Sequence, residues 1–164
     1  MTTSIKLLGI LILLVSSPFE GIAVEPVYDR YSVDIICLKK VPIIKVQLNG
    51  ETAYFILDSG SDVSLLNTEE ASHFDFSLSN RAPKGIKGFS GERQAVHKVS
   101  EANVQLNDYK LQVEFYATDL THLVKSLLAR TEIKVTGIIG MDLMRAYGFE
   151  IDYGNKILHL DLNA

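Results

Sequence analysis

Residues 55–66 read FILDSGSDVSLL, a hydrophobic run that drives straight into Asp58 and then turns at once through Ser59, Gly60 and Ser61. Two readings compete for this stretch. A strand ending at Asp58, followed by a tight Ser-Gly turn, holds one carboxylate on rigid backbone, and Gly60 lets the main chain pass close without a Cβ clash. Ser59 and Ser61 set hydroxyls beside it, able to hydrogen-bond a carboxylate or a neighbouring backbone group. The plainer reading is an Asx-type turn at a strand end, because Asp, Ser and Gly are the residues turns favour. Taken alone, DSG reads as a turn.

The chain of 164 residues is of a size that builds one core, and 47% hydrophobic with 22% charged residues is ordinary globular composition. A formal charge of -4 gives no electrostatic reason to expect nucleic acid as a partner, and the Lys and Arg residues form no long basic block. At the start, MTTSIKLLGILILLVSS sets Lys6 ahead of an apolar run from Leu7 to Val15, then polar residues and GIAV. This is the layout of a secretory signal, with Gly21 and Ala23 flanking a cut after Ala23. The expectation is a signal peptide over residues 1–23 and a folded domain over 24–164, in the periplasm or secreted. The alternative is an uncleaved anchor, the one case in which the protein meets a membrane. The apolar run is too short as a helix to span the hydrocarbon core.

Cys37 is the sole cysteine and excludes an internal disulfide. In VDIICL it reads as a small buried apolar residue, with a reactive thiol or intermolecular bridge as the sharper alternative. His73, His97, His122 and His159 lack ligand spacing to one another or to Cys37, so no metal site is expected.

Three short sequences read as hairpin turns between alternating segments. Asn49-Gly50 lies between IIKVQL and TAYFIL, Asn107-Asp108 between VQL and KLQVEFY, and Gly154-Asn155 between FEID and KILHLDL. In the last of these, Leu158, Leu160 and Leu162 point to one face. The pattern predicts a small, mostly antiparallel β domain. Two helices interrupt it. TDLTHLVKSLLAR spaces Leu120, Leu123, Val124, Leu127 and Leu128 on one face, with Thr118 or Asp119 as N-cap. A shorter helix runs from Met141 to about Tyr147, where Gly148 stops it. Residues 73–84 read as irregular.

Downstream of FILDSGSDVSLL comes GIIGMDLMRAYGFEIDYGNKILHL. Together these resemble the retropepsin-like aspartic proteases, in their single-domain bacterial form. In that family a hydrophobic pair precedes Asp-Thr/Ser-Gly, and a later hydrophobic-hydrophobic-Gly segment leads into a short helix. Ile138, Ile139 and Gly140 match the second element. Between the two, KGIKGFSGERQ resembles the glycine-rich flap, with Gly88 and Gly91 around Phe89 and Ser90, unless it is an ordinary exposed turn. The resemblance spans about residues 30 to 162.

It implies a small closed antiparallel β barrel of retropepsin-like type, with one short helix near the C-terminus and one inserted amphipathic helix. It also implies a homodimer, because the chain carries one DSG and the reaction needs two aspartates. Asp58 of each subunit would form a dyad that hydrolyses a peptide or protein substrate through an activated water, with no metal and no cofactor. Ser59 matches the hydroxyl residue that braces the two loops across the dimer, and Gly60 the glycine that lets substrate backbone lie close. Ser61 sits where relatives carry Ala or Ser; its hydroxyl is able to hydrogen-bond Asp58 and favour the ionised form. Asp62 matches an acid that contacts substrate main chain in viral relatives. Its usual arginine partner is replaced by Met141, which weakens that carry-over. Asp142 reads as an acid favoured by the free amides of the short helix. The competing functions are a catalytically silent peptide-binding or scaffolding domain of the same fold, and a generic β domain with a coincidental DSG turn.

Overall fold

The computed structural model describes residues 30–37, 41–81, 84–87 and 93–162. The expected signal segment 1–23, the flap residues Gly88, Phe89, Ser90 and Gly91, and the side chain of Cys37 lie outside what is described.

The first three strands, β1 (Arg30–Cys37), β2 (Ile43–Leu48) and β3 (Glu51–Leu57), run antiparallel, with β2 and β3 in register from Ile43↔Ile56 to Leu48↔Glu51. Their turn is at Asn49-Gly50, with φ of 51° and 86°, the conformation the Asn-Gly pair favours. The Asn49 amide donates to the carbonyls of Phe74 and Glu101 at 2.7 Å each, and its Oδ1 accepts from the Asn103 N–H at 2.8 Å. One side chain thus pins the hairpin tip to two other turns.

Next come β4 (Leu65–Asn67), a single 3-10 turn (Thr68–Glu70), β5 (Ser77–Leu78), β6 (Lys84–Lys87) and β7 (Arg93–Ser100). They are followed by β8 (Val104–Leu106), β9 (Tyr109–Lys110), β10 (Tyr116–Thr118) and helix α1 (Thr121–Thr131). The chain then forms β11 (Gly137–Ile139), helix α2 (Met141–Ala146), β12 (Glu150–Asp152) and β13 (Ile157–Asp161). The strand order β12-β13-β1-β2-β3-β11-β4-β10-β7-β5 makes the domain mostly β with two helices, as the sequence pattern predicts.

Four local details differ from the expectation. The second hairpin is short, because β9 ends at Lys110 and residues 111–115 leave the ladder before β10 begins. The third turn takes four residues, 153–156, with the left-handed position at Lys156 (φ 59°). Of the stretch expected to be irregular, residues 77–78 form β5, which pairs with β7, and Lys84 opens β6. The cap of α1 is Leu120, not Thr118 or Asp119. Thr118 stays in β10 and donates its hydroxyl to Ala95 O, while the Asp119 carboxylate accepts from the Thr121 N–H at 2.8 Å.

Strand alternation sorts the apolar side chains into two clusters on opposite faces of the sheet. Phe55, Leu57, Leu66 and Ile139 join Val33, Val46, Leu158 and Leu160 in the main core. Ile43, Ile56, Leu65, Val96 and Ile138 face the other way and are covered by Leu120, Val124 and Leu127 of α1.

The last hairpin supplies a pH prediction. Hydrogen bonds from the Asn155 backbone (2.9 Å) and then its side-chain amide (2.8 Å) hold the Asp152 carboxyl below the ordinary Asp value of 3.8. A depressed carboxyl stabilises fully above the unfolded value, and that share is lost as pH falls through the lower folded one. Asp152→Ala is therefore expected to lower the thermal midpoint slightly near neutral pH, with the gap to the parent closing well below 3.8. A gap that stays constant on acidification would contradict this.

Candidate active site

The sequence that ends β3 delivers Asp58 to the end of the most heavily paired region of the sheet. β11 runs parallel to β3, with Ile138↔Ile56 and Ile139↔Leu57 in register, and the Asp58 N–H continues the ladder by donating to Ile139 O at 3.0 Å. β4 lies antiparallel on the other side of β11, with Leu65↔Ile138. The two motifs noted in the sequence are therefore hydrogen-bonded neighbours.

Past Asp58 the loop is held by short-range bonds. The Gly60 N–H donates to Asp58 Oδ1 at 2.9 Å, and the Ser61 N–H donates to Asp58 O at 3.1 Å. A Cβ on Gly60 would sit 3.1 Å from Asp58 Oδ1, tighter than an ordinary contact. The glycine thus lets the carboxylate fold back over the turn. Asp58, Ser59, Gly60 and Asp62 are exposed, and Ser61 is half-buried. The Ser61 hydroxyl donates to Val63 O at 2.7 Å, not to Asp58. Val63 O lies within the same turn, so that hydroxyl tightens the loop while the carboxylate is left to the backbone amide of Gly60.

A second set of bonds sews this loop to the start of α2. The Met141 N–H donates to Ser61 O at 2.8 Å. Ser64, fully buried, donates its hydroxyl to Asp142 Oδ1 at 2.7 Å and its N–H to Asp142 Oδ2 at 2.9 Å. The Ser64 hydroxyl in turn accepts from the Gly140 N–H at 3.0 Å, and Asp142 Oδ1 also accepts from the Leu143 N–H at 2.8 Å. Asp142 does engage the helix start, as its position suggests, but its larger role is to clamp the strand after the Asp58 loop. Sequence reasoning missed Ser64 altogether. The only signal was a hydroxyl between apolar neighbours in DVSLL, which does not reveal a partner 78 residues away.

Asp142→Ala removes the acceptors of a buried N–H and hydroxyl on Ser64 as well as a helix-start bond. Leaving such donors unpaired costs about 1–3 kcal/mol. Denaturant unfolding is expected to show that loss. Ser64→Ala added to Asp142→Ala should cost less than the sum of the two single changes, because the pair shares its bonds. Strict additivity would argue against the clamp.

The flap assignment rests on residues beyond the described ones. β6 and β7 pair antiparallel from Lys84↔Val96 to Lys87↔Arg93, so residues 88–92 connect the two arms of a hairpin. Among the described residues no three His, Cys, Asp or Glu side chains converge as a metal site would require.

The comparisons with known proteins agree with this geometry. The family described as aspartyl protease matches residues 44–143, which includes both the Asp58 loop and the Gly140 segment. A retropepsin-like aspartic protease from Rickettsia conorii superposes with a TM-score of 0.50 at 17% identity, over 80% of this chain and 89% of that one. The inhibitor-bound EIAV protease gives a TM-score of 0.50 at 18% identity, over 66% of this chain and 89% of that one. The retroviral protease-like domain of Ddi1 from Leishmania major gives 0.51 at 16% identity, over 74% of this chain and 89% of that one. At such identities the likeness establishes the fold. No curated protein is significantly similar to the chain in sequence. By its matched motifs and by the way β3, β4 and β11 bring them together, the chain belongs to the retropepsin-like aspartyl protease family.

Proposed function

We propose that the protein is an aspartic endopeptidase that works as a homodimer, each subunit contributing one Asp58. The observation that carries this reading is an exposed Asp58 at a strand end, its backbone N–H donating to Ile139 O and its carboxylate accepting from the Gly60 N–H. A loop of this kind presents one carboxylate, and the sequence carries Asp-Ser-Gly once, at residues 58–60. Two carboxylates brought into contact hold one proton between them, the arrangement for which aspartic proteases are the type case. The ionised member takes a proton from a bound water as that water attacks the peptide carbonyl. Its protonated mate donates to the carbonyl oxygen, giving a neutral tetrahedral diol. Collapse of the diol with proton transfer to the amine completes hydrolysis, without metal or covalent intermediate.

In this reading Ser59 braces the paired loops, and Gly60 lets an extended peptide approach. The hairpin of β6 and β7 closes over it with Gly88, Phe89, Ser90 and Gly91 at its tip, and Asp62 lies at the edge of the bound peptide. The N-terminal segment directs export, so the substrate is a peptide or protein outside the cytoplasm.

The test is a dilution series in which molecular size and cleavage of a peptide library are followed together. Specific activity is expected to fall with the dimer fraction, and a diol-mimicking statine-type inhibitor to shift the chain toward dimer. Activity that persists undiminished in a strict monomer would overturn the proposal. Peptide binding without turnover at any concentration would make the protein a binding domain of the same fold.

A further inference from the structure

Helix α1 covers the face of the sheet onto which the alternation of β3 directs Asp58. Along β3, Ala53, Phe55 and Leu57 enter the main core, while Tyr54 and Ile56 belong to the opposite cluster. The Asp58 N–H extends the ladder, so the strand alternation carries Asp58 onto the face of Ile56, about 6.6 Å further along. On that face Ile56, Ile138 and Leu65 stand side by side on neighbouring strands, and Val124 and Leu127 of α1 pack over them. Val63, in the Asp58 loop, and Leu123, on the flank of α1, are both half-buried against this layer.

The start of α1 and the segment just after it are tied to the end of β4 and the 3-10 turn that follows. Asn67, buried, accepts the Leu120 N–H on its Oδ1 at 3.0 Å. After the left-handed Glu132 that ends α1, Lys134 pairs at 2.6 Å with Glu70, itself only 6% exposed. Asn67 precedes one 3-10 turn and Glu70 ends it, so both contacts tie α1 to the same place and its apolar flank is presented on a helix, not on a loop. Such a surface can discriminate shape, whereas a mobile loop would adapt to it.

We infer that α1 forms one wall of the substrate cleft, and that Leu123 sets the size of the apolar side chain accepted next to the scissile bond. This rests on the reading of Asp58 as half of a peptidase dyad. An extended peptide at Asp58 advances about 3.3 Å per residue, so the side chain flanking the reacting carbonyl falls beside the Ile56 and Ile138 layer. In a two-fold dimer each subunit would wall one side of the bond. Differences of one or two methylenes in such a pocket are worth about 10–200-fold in relative kcat/KM.

The test compares wild type, Leu123→Ala and Leu123→Met on paired peptides that differ only in the residue flanking the cleaved bond, leucine against phenylalanine. Lys125→Ala, on the exposed face of α1, serves as control. Leu123→Ala is expected to raise the phenylalanine-to-leucine ratio of kcat/KM at least about 10-fold. Leu123→Met, close in volume, should stay folded and shift the ratio in a smaller measure. Lys125→Ala should leave it unchanged. An active enzyme whose ratio is the same in wild type and both Leu123 variants overturns the assignment of α1 and spares the peptidase reading. A wild type that cleaves none of the peptides removes the peptidase reading and this inference with it.

Discussion

Asp58→Asn is expected to abolish peptide cleavage while the domain still folds. The asparagine keeps a side-chain oxygen where Asp58 Oδ1 now accepts the Gly60 N–H, and its backbone still donates to Ile139 O. The position is exposed, so folding stability should change by no more than about 0.5 kcal/mol. What disappears is the proton chemistry, since an amide can neither take a proton from water nor share one with its mate. General acid–base groups contribute about 10²–10⁴-fold, and here one substitution removes both members of the proposed dyad. An equimolar mixture of mutant and wild type should lose more activity than dilution accounts for, because mixed dimers carry a single carboxylate. Equal cleavage by Asp58→Asn and wild type would sink the enzyme reading.

Gly140→Ala is the second large effect, and it acts through packing. A Cβ at this position would lie 2.5 Å from Val63 O, 2.6 Å from Val63 C and 2.8 Å from Ser61 O. All three are backbone atoms of the Asp58 loop, so no side chain can swing aside. The loop must move, and with it go the bonds from Met141 N–H to Ser61 O and from Gly140 N–H to Ser64 Oγ. Overpacking of a tight interior costs about 1–3 kcal/mol, and the two strained hydrogen bonds put this case at the upper end. Catalysis should fall further than stability alone explains, because the displaced loop is the one that presents Asp58. Gly154→Ala is the matched comparison: its Cβ would meet only the Asp152 side-chain oxygen at 3.3 Å. Its unfolding free energy is expected to stay within about 0.5 kcal/mol of the parent. Equal stability for the two variants would show that the close approach at Gly140 is not required.

Both predictions depend on how the DSG loop meets the Gly140 segment, and that meeting was only partly legible in the sequence. The hairpin at Asn49-Gly50 was fully legible, since local turn chemistry and flanking alternation fix it within a dozen residues. The long amphipathic helix was legible in its extent and in most of its apolar stripe, although Leu128 is 42% exposed, but not in its cap, because Leu120 is held by Asn67 from a distant strand. The partner of the Ser61 hydroxyl was left open for the opposite reason. Its choice between Asp58 and Val63 O turns on the curl of one tight turn, which residue identity does not specify.

The sequence by itself determined the alternation of β3, the turn at Asp58-Ser59-Gly60 and the short helix after Gly140, because each follows from local preferences and periodicity. It also determined, through a recognisable pair of motifs, the family to which the chain belongs. Only the tertiary structure decided that β11 lies parallel between β3 and β4, that Ser64 and Asp142 clamp the loop, and that α1 covers the face of Ile56 and Ile138. The physical reason is separation along the chain. Parallel pairing and side-chain clamps join segments some eighty residues apart, and their partners are chosen by which apolar faces must be buried together, not by the preferences of either segment.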